Sequence, residues 1–112
     1  MKCDKCGGDF SEVIWEKGKT YEGIDQHHNP PEFISDFLKE SWSGEFYNLC
    51  RKCHRELHDI IIELLNKKSN SFKFIKSEYW ILQKMNLRQI QESKIEIYNF
   101  TKKWVICNDN NS

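Results

Sequence analysis

Residues 49–59 read "LCRKCHRELHD" and join a Cys-x-x-Cys pair to two histidines spaced four residues apart. Apolar residues recur at helical spacing after His54, and the pattern predicts a helix over roughly residues 54–67. On that helix His54 and His58 share one face, which suits two ligands of one metal ion. The alternative is a pair of ordinary surface histidines. The apolar residues of the pattern are Leu57, Ile60, Ile61, Leu64 and Leu65.

The cysteine spacing of this stretch occurs a second time near the start of the chain, in "MKCDKCGGDF" (1–10). A Cys-x-x-Cys turn aims two thiolates at one tetrahedral Zn²⁺, so two such pairs predict a structural zinc. Free or disulfide-bonded cysteines are the alternative, and a reducing compartment disfavours the disulfides. The predicted ligands are Cys3, Cys6, Cys50 and Cys53, with Cys107 outside the pattern.

The other two histidines of the chain stand side by side in "IDQHHNPPEF" (24–33). Neighbouring side chains on a strand point to opposite faces, so His27 and His28 can do different jobs at one place. Pro30 and Pro31 end the strand, because proline lacks the N–H group that a ladder needs. One imidazole from this pair and two from the helix would make an open metal site. The remaining histidine would then be free for proton transfer.

The segments around these motifs predict a mixed α and β fold. Residues 10–28 are typical of a hairpin with Gly18 in its turn, and "EFYNLC" (45–50) is typical of a short strand. The connection over residues 32–45 has room for one or two helical turns. A break is expected at residues 68–71, and mostly helical structure after it.

Length and charge set limits on this fold and its partners. A chain of 112 residues is one domain, or one small domain with an extension, and its core is small enough for a metal to matter. The formal net charge is zero, with −3 in residues 1–58 and +3 in residues 59–112, which favours a polyanion partner only weakly. No signal-peptide pattern occurs at the start, and the longest apolar runs have four residues. The sequence therefore predicts a cytoplasmic protein without a membrane span.

The pattern "HHNPP" (27–31), followed after 17 residues by "LCRKCHRELH" (49–58), resembles that of the HNH endonucleases. Pro31 lies three residues after His28, as the proline of the family motif does. The N-terminal Cys-x-x-Cys is similar to that of members with a four-cysteine zinc. The resemblance covers about residues 1–65. It implies an α+β fold with a ββα-metal core, and metal-dependent hydrolysis of DNA that leaves 5′-phosphate and 3′-hydroxyl ends.

The resemblance also implies a role for each motif residue. His28 matches the general base that takes a proton from the attacking water. The ligands of the catalytic divalent metal are matched by His27, His54 and His58, with a phosphate contact as the alternative role for His58. The ligands of the structural zinc are matched by Cys3, Cys6, Cys50 and Cys53. Nitrogen ligands favour Zn²⁺, Ni²⁺ or Mn²⁺ over Mg²⁺, and a carboxylate from Asp25 would shift that preference.

One position departs from the family pattern. The Asn of the family name lies five residues before the first Cys of LCxxC, and that position is Glu45 here. An Asn occurs three residues later, at Asn48. Because the family's Asn ties the long loop in place, we expect Glu45 or Asn48 to orient the loop.

Residues 1–68 are therefore expected to form the nuclease domain and residues 69–112 a helical C-terminal extension. The dense aromatic residues of the extension leave two interpretations open: they pack helices onto the core, or they contact DNA or a second subunit while basic side chains touch phosphate. These aromatics are Phe72, Phe74, Tyr79, Trp80, Tyr98, Phe100 and Trp104. We expect duplex DNA as the partner, with a homodimer as an alternative to a monomer. The rival function is a non-catalytic zinc module that binds DNA or a protein.

Overall fold

The computed structural model describes residues 2–10, 23–70 and 72–107. In chain order its elements are strand β1 (Ile24–Asn29), helix α1 (Glu32–Leu38), strand β2 (Glu45–Cys50), and the helices α2 (Arg51–Ser69), α3 (Glu78–Gln83) and α4 (Leu87–Ile106). The predicted α+β class is therefore confirmed. The predicted hairpin has its turn at Gly18, and this turn lies outside the described residues.

Strands β1 and β2 form a two-stranded antiparallel sheet, with Ile24 opposite Cys50 and Asn29 opposite Glu45. The predicted strand over residues 45–50 is confirmed at both ends. Strand β1 ends at Asn29, immediately before the two prolines, as their missing N–H groups require. The sheet thus carries His27 and His28 close to the end of one strand and delivers Cys50 at the end of the other.

Helix α2 is the predicted helix, but it begins three residues earlier, at Arg51, and ends at Ser69. Its first turn is capped by the side chain of Cys50, which accepts a hydrogen bond from the backbone N–H of Cys53. The cysteine turn and the helix start are therefore one structure. The predicted break falls at Asn70, which ends the helix with a φ of 57°, a conformation that asparagine tolerates.

One hydrophobic core contains residues from both halves of the chain. Leu57, Ile61 and Leu65 form the buried stripe of α2, which explains their helical spacing. Ile81 of α3 and Ile97 of α4 belong to the same cluster. Burial of this shared surface is the main force that holds the helices together. The division of the chain at residue 68 stays a prediction, since a common core does not by itself locate a boundary.

The residues after 71 are mostly helical, as predicted, and their aromatic side chains divide into two groups. Phe100 and Trp104 of α4 are partly buried against the core, which agrees with the packing interpretation. Phe72, Phe74, Tyr79 and Trp80 are largely exposed, and Tyr98 is half-buried. Among the helices in the described ranges, none combines the length and the apolar character needed to cross a membrane.

Candidate metal sites

The four cysteines of the two Cys-x-x-Cys pairs meet in one cluster, as the sequence predicts. One sulfur from each lies within 4.8 Å of the other three, and the Sγ atoms of Cys6 and Cys50 are 4.0 Å apart. Two thiolates on one tetrahedral zinc are separated by about 3.8 Å. The cluster is therefore close enough to hold a single metal ion.

The N-terminal pair is shaped by backbone hydrogen bonds. The N–H of Cys3 donates to the carbonyl of Gly8, and the N–H of Gly7 donates to the carbonyl of Cys3. Gly7 has a φ of +73°, which a residue without Cβ adopts at little cost. Asp4 and Asn48 exchange two hydrogen bonds that fasten this turn to β2. These contacts bring the N-terminal pair to the second pair, although Cys6 and Cys50 are 44 positions apart in the chain.

The cysteines of the cluster differ in how readily they ionise. Burial raises the pKa of Cys3, but backbone N–H groups directed at its sulfur outweigh burial and lower the pKa to about 7. Burial raises the pKa of Cys50 and of Cys53. The surrounding protein therefore favours the thiolate of Cys3 but not those of Cys50 and Cys53. A bound divalent cation would stabilise the rest, because metal coordination deprotonates thiols.

The second cluster consists of His27 on β1 with His54 and His58 on α2. One ring nitrogen from each lies within 4.8 Å of the other two. The Nε2 atoms of His54 and His58 are 3.0 Å apart. Two nitrogens bound to one ion at about 2.0–2.1 Å are separated by about 2.8–3.4 Å for bond angles from right-angled to tetrahedral. The observed spacing fits two ligands of one ion.

Carboxylates hold the outer nitrogens of the two helical histidines. Nδ1 of His58 lies 2.7 Å from Oε1 of Glu78 on α3, and Nδ1 of His54 lies 3.3 Å from Oδ2 of Asp25 on β1. An ionised carboxylate only accepts hydrogen bonds, so each Nδ1 carries the proton and each neutral ring keeps its lone pair on Nε2. The two lone pairs then face each other. A carboxylate behind a histidine in this way fixes the tautomer that a metal requires.

His27 completes the cluster from the sheet side. Its side chain is buried, and its Nε2 makes no hydrogen bond within the described part of the chain. Burial first, and then the rings of His58, His54 and His28, lower the pKa of His27 to about 3. The imidazole is therefore neutral near pH 7. A buried acceptor nitrogen without a partner is costly, and a metal ion at this position would satisfy it.

His28 lies beside this cluster but has different partners. Its Nε2 is 2.7 Å from Oε1 of Glu32, the first residue of α1, and its ring stands edge-on to Trp42 and Phe46 at centroid distances of 4.9 and 4.8 Å. Because an ionised carboxylate only accepts hydrogen bonds, Nε2 of His28 carries the proton that it donates to Glu32, and a neutral ring then has its lone pair on Nδ1. The four histidines border one cleft of about 210 Å³ with Gln26, Pro31, Glu32 and Phe33.

The two residues predicted to orient the loop make hydrogen bonds in other directions. The Glu45 carboxylate accepts from the hydroxyls of Tyr47 and of Tyr98 on α4, and the first of these bonds is the main cause that lowers its pKa. Asn48 bonds through its backbone to Asp4. Their role at the loop stays a prediction. The loop between α1 and β2 is tied back by Trp42, whose indole N–H donates a hydrogen bond to the carbonyl of Pro30 at 2.6 Å.

Two of the carboxylates that contact the histidines were not identified from the sequence, and the third was given a different role. Glu32 and Glu78 reach the histidines from α1 and α3, and no local spacing pattern connects them to the motif. Asp25, expected from the sequence as a carboxylate that would act on the metal preference, contacts Nδ1 of His54. Its position two residues before His27 is a usable signal, because alternate residues of a strand share a face.

Comparison of the chain with protein-family models, with curated proteins and with solved structures finds no match. The family resemblance therefore stays an inference from the motif residues. The geometry and chemistry of the two clusters are the basis for a functional assignment.

Proposed function

We propose that this protein is a metal-dependent endonuclease of the HNH type, with a ββα-metal core that hydrolyses DNA phosphodiester bonds. The observation that carries the proposal is the convergence of His27, His54 and His58 beside a fourth histidine, with carboxylates behind the two helical rings. A purely structural zinc module needs the cysteines alone. Such a module has no use for a second cluster, made of imidazoles, that borders an open cleft.

In this proposal the four cysteines hold a structural Zn²⁺, and the three imidazoles hold a divalent metal. A divalent ion at the imidazoles would supply Lewis-acid stabilisation of charge on the scissile phosphate and its leaving oxygen. Nitrogen ligands favour Zn²⁺, Ni²⁺ or Mn²⁺ for that position. Asp25 and Glu78 keep His54 and His58 in the ligand tautomer and orient their rings.

His28 acts as the general base in this mechanism. Glu32 holds Nε2–H of the ring, so that Nδ1 takes a proton from the attacking water. The water oxygen bonds to phosphorus, the bond from phosphorus to the 3′ oxygen breaks, and the 3′ oxygen takes a proton from solvent, to which His28 later releases its own. The products are a 5′-phosphate and a 3′-hydroxyl. Trp42 and Phe46 pack against the imidazole edge and restrict its rotation.

The test is the nicking of a supercoiled plasmid by the purified protein. We expect conversion to the relaxed form when Mn²⁺, Ni²⁺, Zn²⁺ or Mg²⁺ is added, and no conversion in the presence of a chelator. End-labelling of the product should show 5′-phosphate ends. Cleavage that persists in excess chelator would contradict the proposed mechanism.

The rival function, a non-catalytic zinc module that binds DNA or a protein, predicts a different result. Such a module would bind one tightly held zinc ion and would cleave neither DNA nor RNA with any divalent metal. The four-cysteine cluster is common to both functions and does not separate them. Failure of nicking with all four metals would therefore decide for the rival.

A further inference from the structure

Two neighbouring aromatic residues on α3 are exposed. The side chains of Tyr79 and Trp80 are 57% and 61% exposed, with ring centroids 5.8 Å apart. Tyr79 also stands edge-on to Phe37 of α1, with a centroid distance of 6.0 Å. Phe37, Tyr79 and Trp80 form a continuous set of rings, here called the aromatic rim.

The aromatic rim lies on α1 and α3, the two helices whose carboxylates contact His28 and His58. Glu78 immediately precedes Tyr79, and its carboxylate contacts Nδ1 of His58. Phe37 belongs to α1, whose Glu32 contacts His28 and whose first turn borders the cleft. A molecule seated on the rim would therefore lie next to the cleft.

The rim is built on a firmly held segment. The Asn66 side chain makes two hydrogen bonds with the backbone of Ile75, at 2.8 and 2.9 Å. Ser77 then caps α3, which buries Ile81 and Leu82 in the core. The helix thus has its own apolar anchors, and the exposed rings are not needed for its packing. A cluster of exposed aromatics that the fold does not require is typical of a binding surface.

Charge indicates the chemistry of the partner. Residues 72–85 contain three lysines, at 73, 76 and 84, against one acidic residue, Glu78. Helix α1 adds Glu32 and Asp36, but the carboxylates of Glu78 and Glu32 contact His58 and His28. Aromatic rings interleaved with lysines suit a polyanion that offers flat apolar faces, which is the description of unpaired bases on a phosphate backbone. A duplex keeps the faces of its bases stacked inside.

We propose that the aromatic rim stacks unpaired bases and leads single-stranded DNA into the cleft. The proposal deepens the proposed nuclease function and rests on it for the identity of the substrate. It replaces the expectation of a plain duplex with a substrate that has single-stranded or unpaired segments. Tyr79 and Trp80 supply the stacking faces, and the nearby lysines contact phosphate.

The test is binding of a fluorescein-labelled 12-nucleotide single strand, followed by anisotropy, without added divalent metal and in the His28→Ala background. Each of Tyr79→Ala and Trp80→Ala should weaken binding by about 5- to 150-fold, as loss of one base stack does. Tyr79→Phe and Trp80→Phe should bind as the background does, because they keep a ring. Phe72→Ala removes a fully exposed ring outside the rim and should change the affinity by less than about twofold. Thermal unfolding should be the same for every variant.

Three outcomes would contradict the proposed binding of single-stranded DNA by the aromatic rim. They are unchanged single-strand affinity in both alanine variants, an equal loss of affinity for the matching duplex, or binding of RNA but not of DNA. If the rim variants lose affinity but the parent never cleaves DNA, the result would support the binding role of the aromatic rim and contradict the proposed nuclease function. If the parent cleaves DNA and the rim variants keep their affinity, the result would support the nuclease function and contradict the binding role of the aromatic rim.

Discussion

Nε2 of His58 lies 3.0 Å from Nε2 of His54, one turn earlier on α2. Because Glu78 and Asp25 hold the Nδ1 protons of these rings, the facing nitrogens are both acceptors. Burial lowers the pKa of His54, with a further lowering from His58, which opposes the gain of a second proton by the His54 ring. Two facing acceptors at this distance, with the buried Nε2 of His27 beside them, favour a metal cation between them.

The number of bound ions follows from this arrangement. We expect about two divalent ions per chain by elemental analysis of the protein equilibrated with Zn²⁺, and about one in His54→Ala, which loses a ligand of the imidazole cluster. His28→Ala is the matched control, because that ring faces Glu32, and it should keep both ions. Two ions retained in His54→Ala would contradict the assignment of the cluster.

Glu78 is expected to control affinity at the imidazole cluster without touching the ion. Glu78→Gln removes the charge that holds the tautomer of His58, and should weaken Mn²⁺ binding by about 10- to 100-fold in calorimetric titrations. Glu63→Gln, a change at an exposed carboxylate on α2, is the control and should bind as the parent does. Equal affinities for both variants would show that the carboxylate contact is incidental.

The cysteine cluster is expected to stabilise the whole fold. Structural zinc contributes about 10–16 kcal/mol of binding free energy in small zinc domains, and this fold places three of its four ligands in the buried core. Cys53→Ser should abolish the cooperative thermal transition seen by circular dichroism. Cys107→Ser changes an exposed thiol outside the cluster and should melt as the parent does. A parent-like melt of Cys53→Ser would argue against a structural metal.

Gly44 is expected to be intolerant of any side chain. A Cβ at this position would overlap the carbonyl oxygen of Asn29 and would lie 2.8 Å from Cδ of Pro30, at the point where the loop returns to β2. Gly44→Ala should lower the free energy of unfolding by about 1–3 kcal/mol in urea titrations, the usual cost of overpacking. Ser43→Ala, at the exposed neighbour, is the control, and equal stability of the two variants would contradict the close approach.

The local sequence pattern was sufficient to predict the strand and the helix that carry the histidines. The helical spacing of apolar residues indicated α2, and the prolines indicated where β1 ends. Helix α2 begins three residues before its predicted start, because the Cys50 side chain caps it as well as belonging to the cysteine cluster. Meeting of the two Cys-x-x-Cys pairs followed from the chemistry of zinc and needed no knowledge of the intervening chain.

The carboxylates behind the histidines could not be predicted in the same way. Glu78 reaches His58 across 20 residues because α3 packs on α2, and that contact depends on the tertiary fold. Glu32 is four residues from His28, but two prolines separate the strand from the helix that carries it. Similarly, the exposure of Tyr79 and Trp80 depends on which face of α3 is buried, and six residues show too little periodicity to decide this.

The central claim is tested most directly by plasmid nicking with His28→Ala in the presence of saturating Mn²⁺. The variant should retain both bound ions and a parent-like thermal melt, since His28 is partly exposed and is not a proposed ligand. Its nicking rate should fall by about 10²- to 10⁴-fold, the contribution of a general base. A variant that cleaves as fast as the parent would contradict the account.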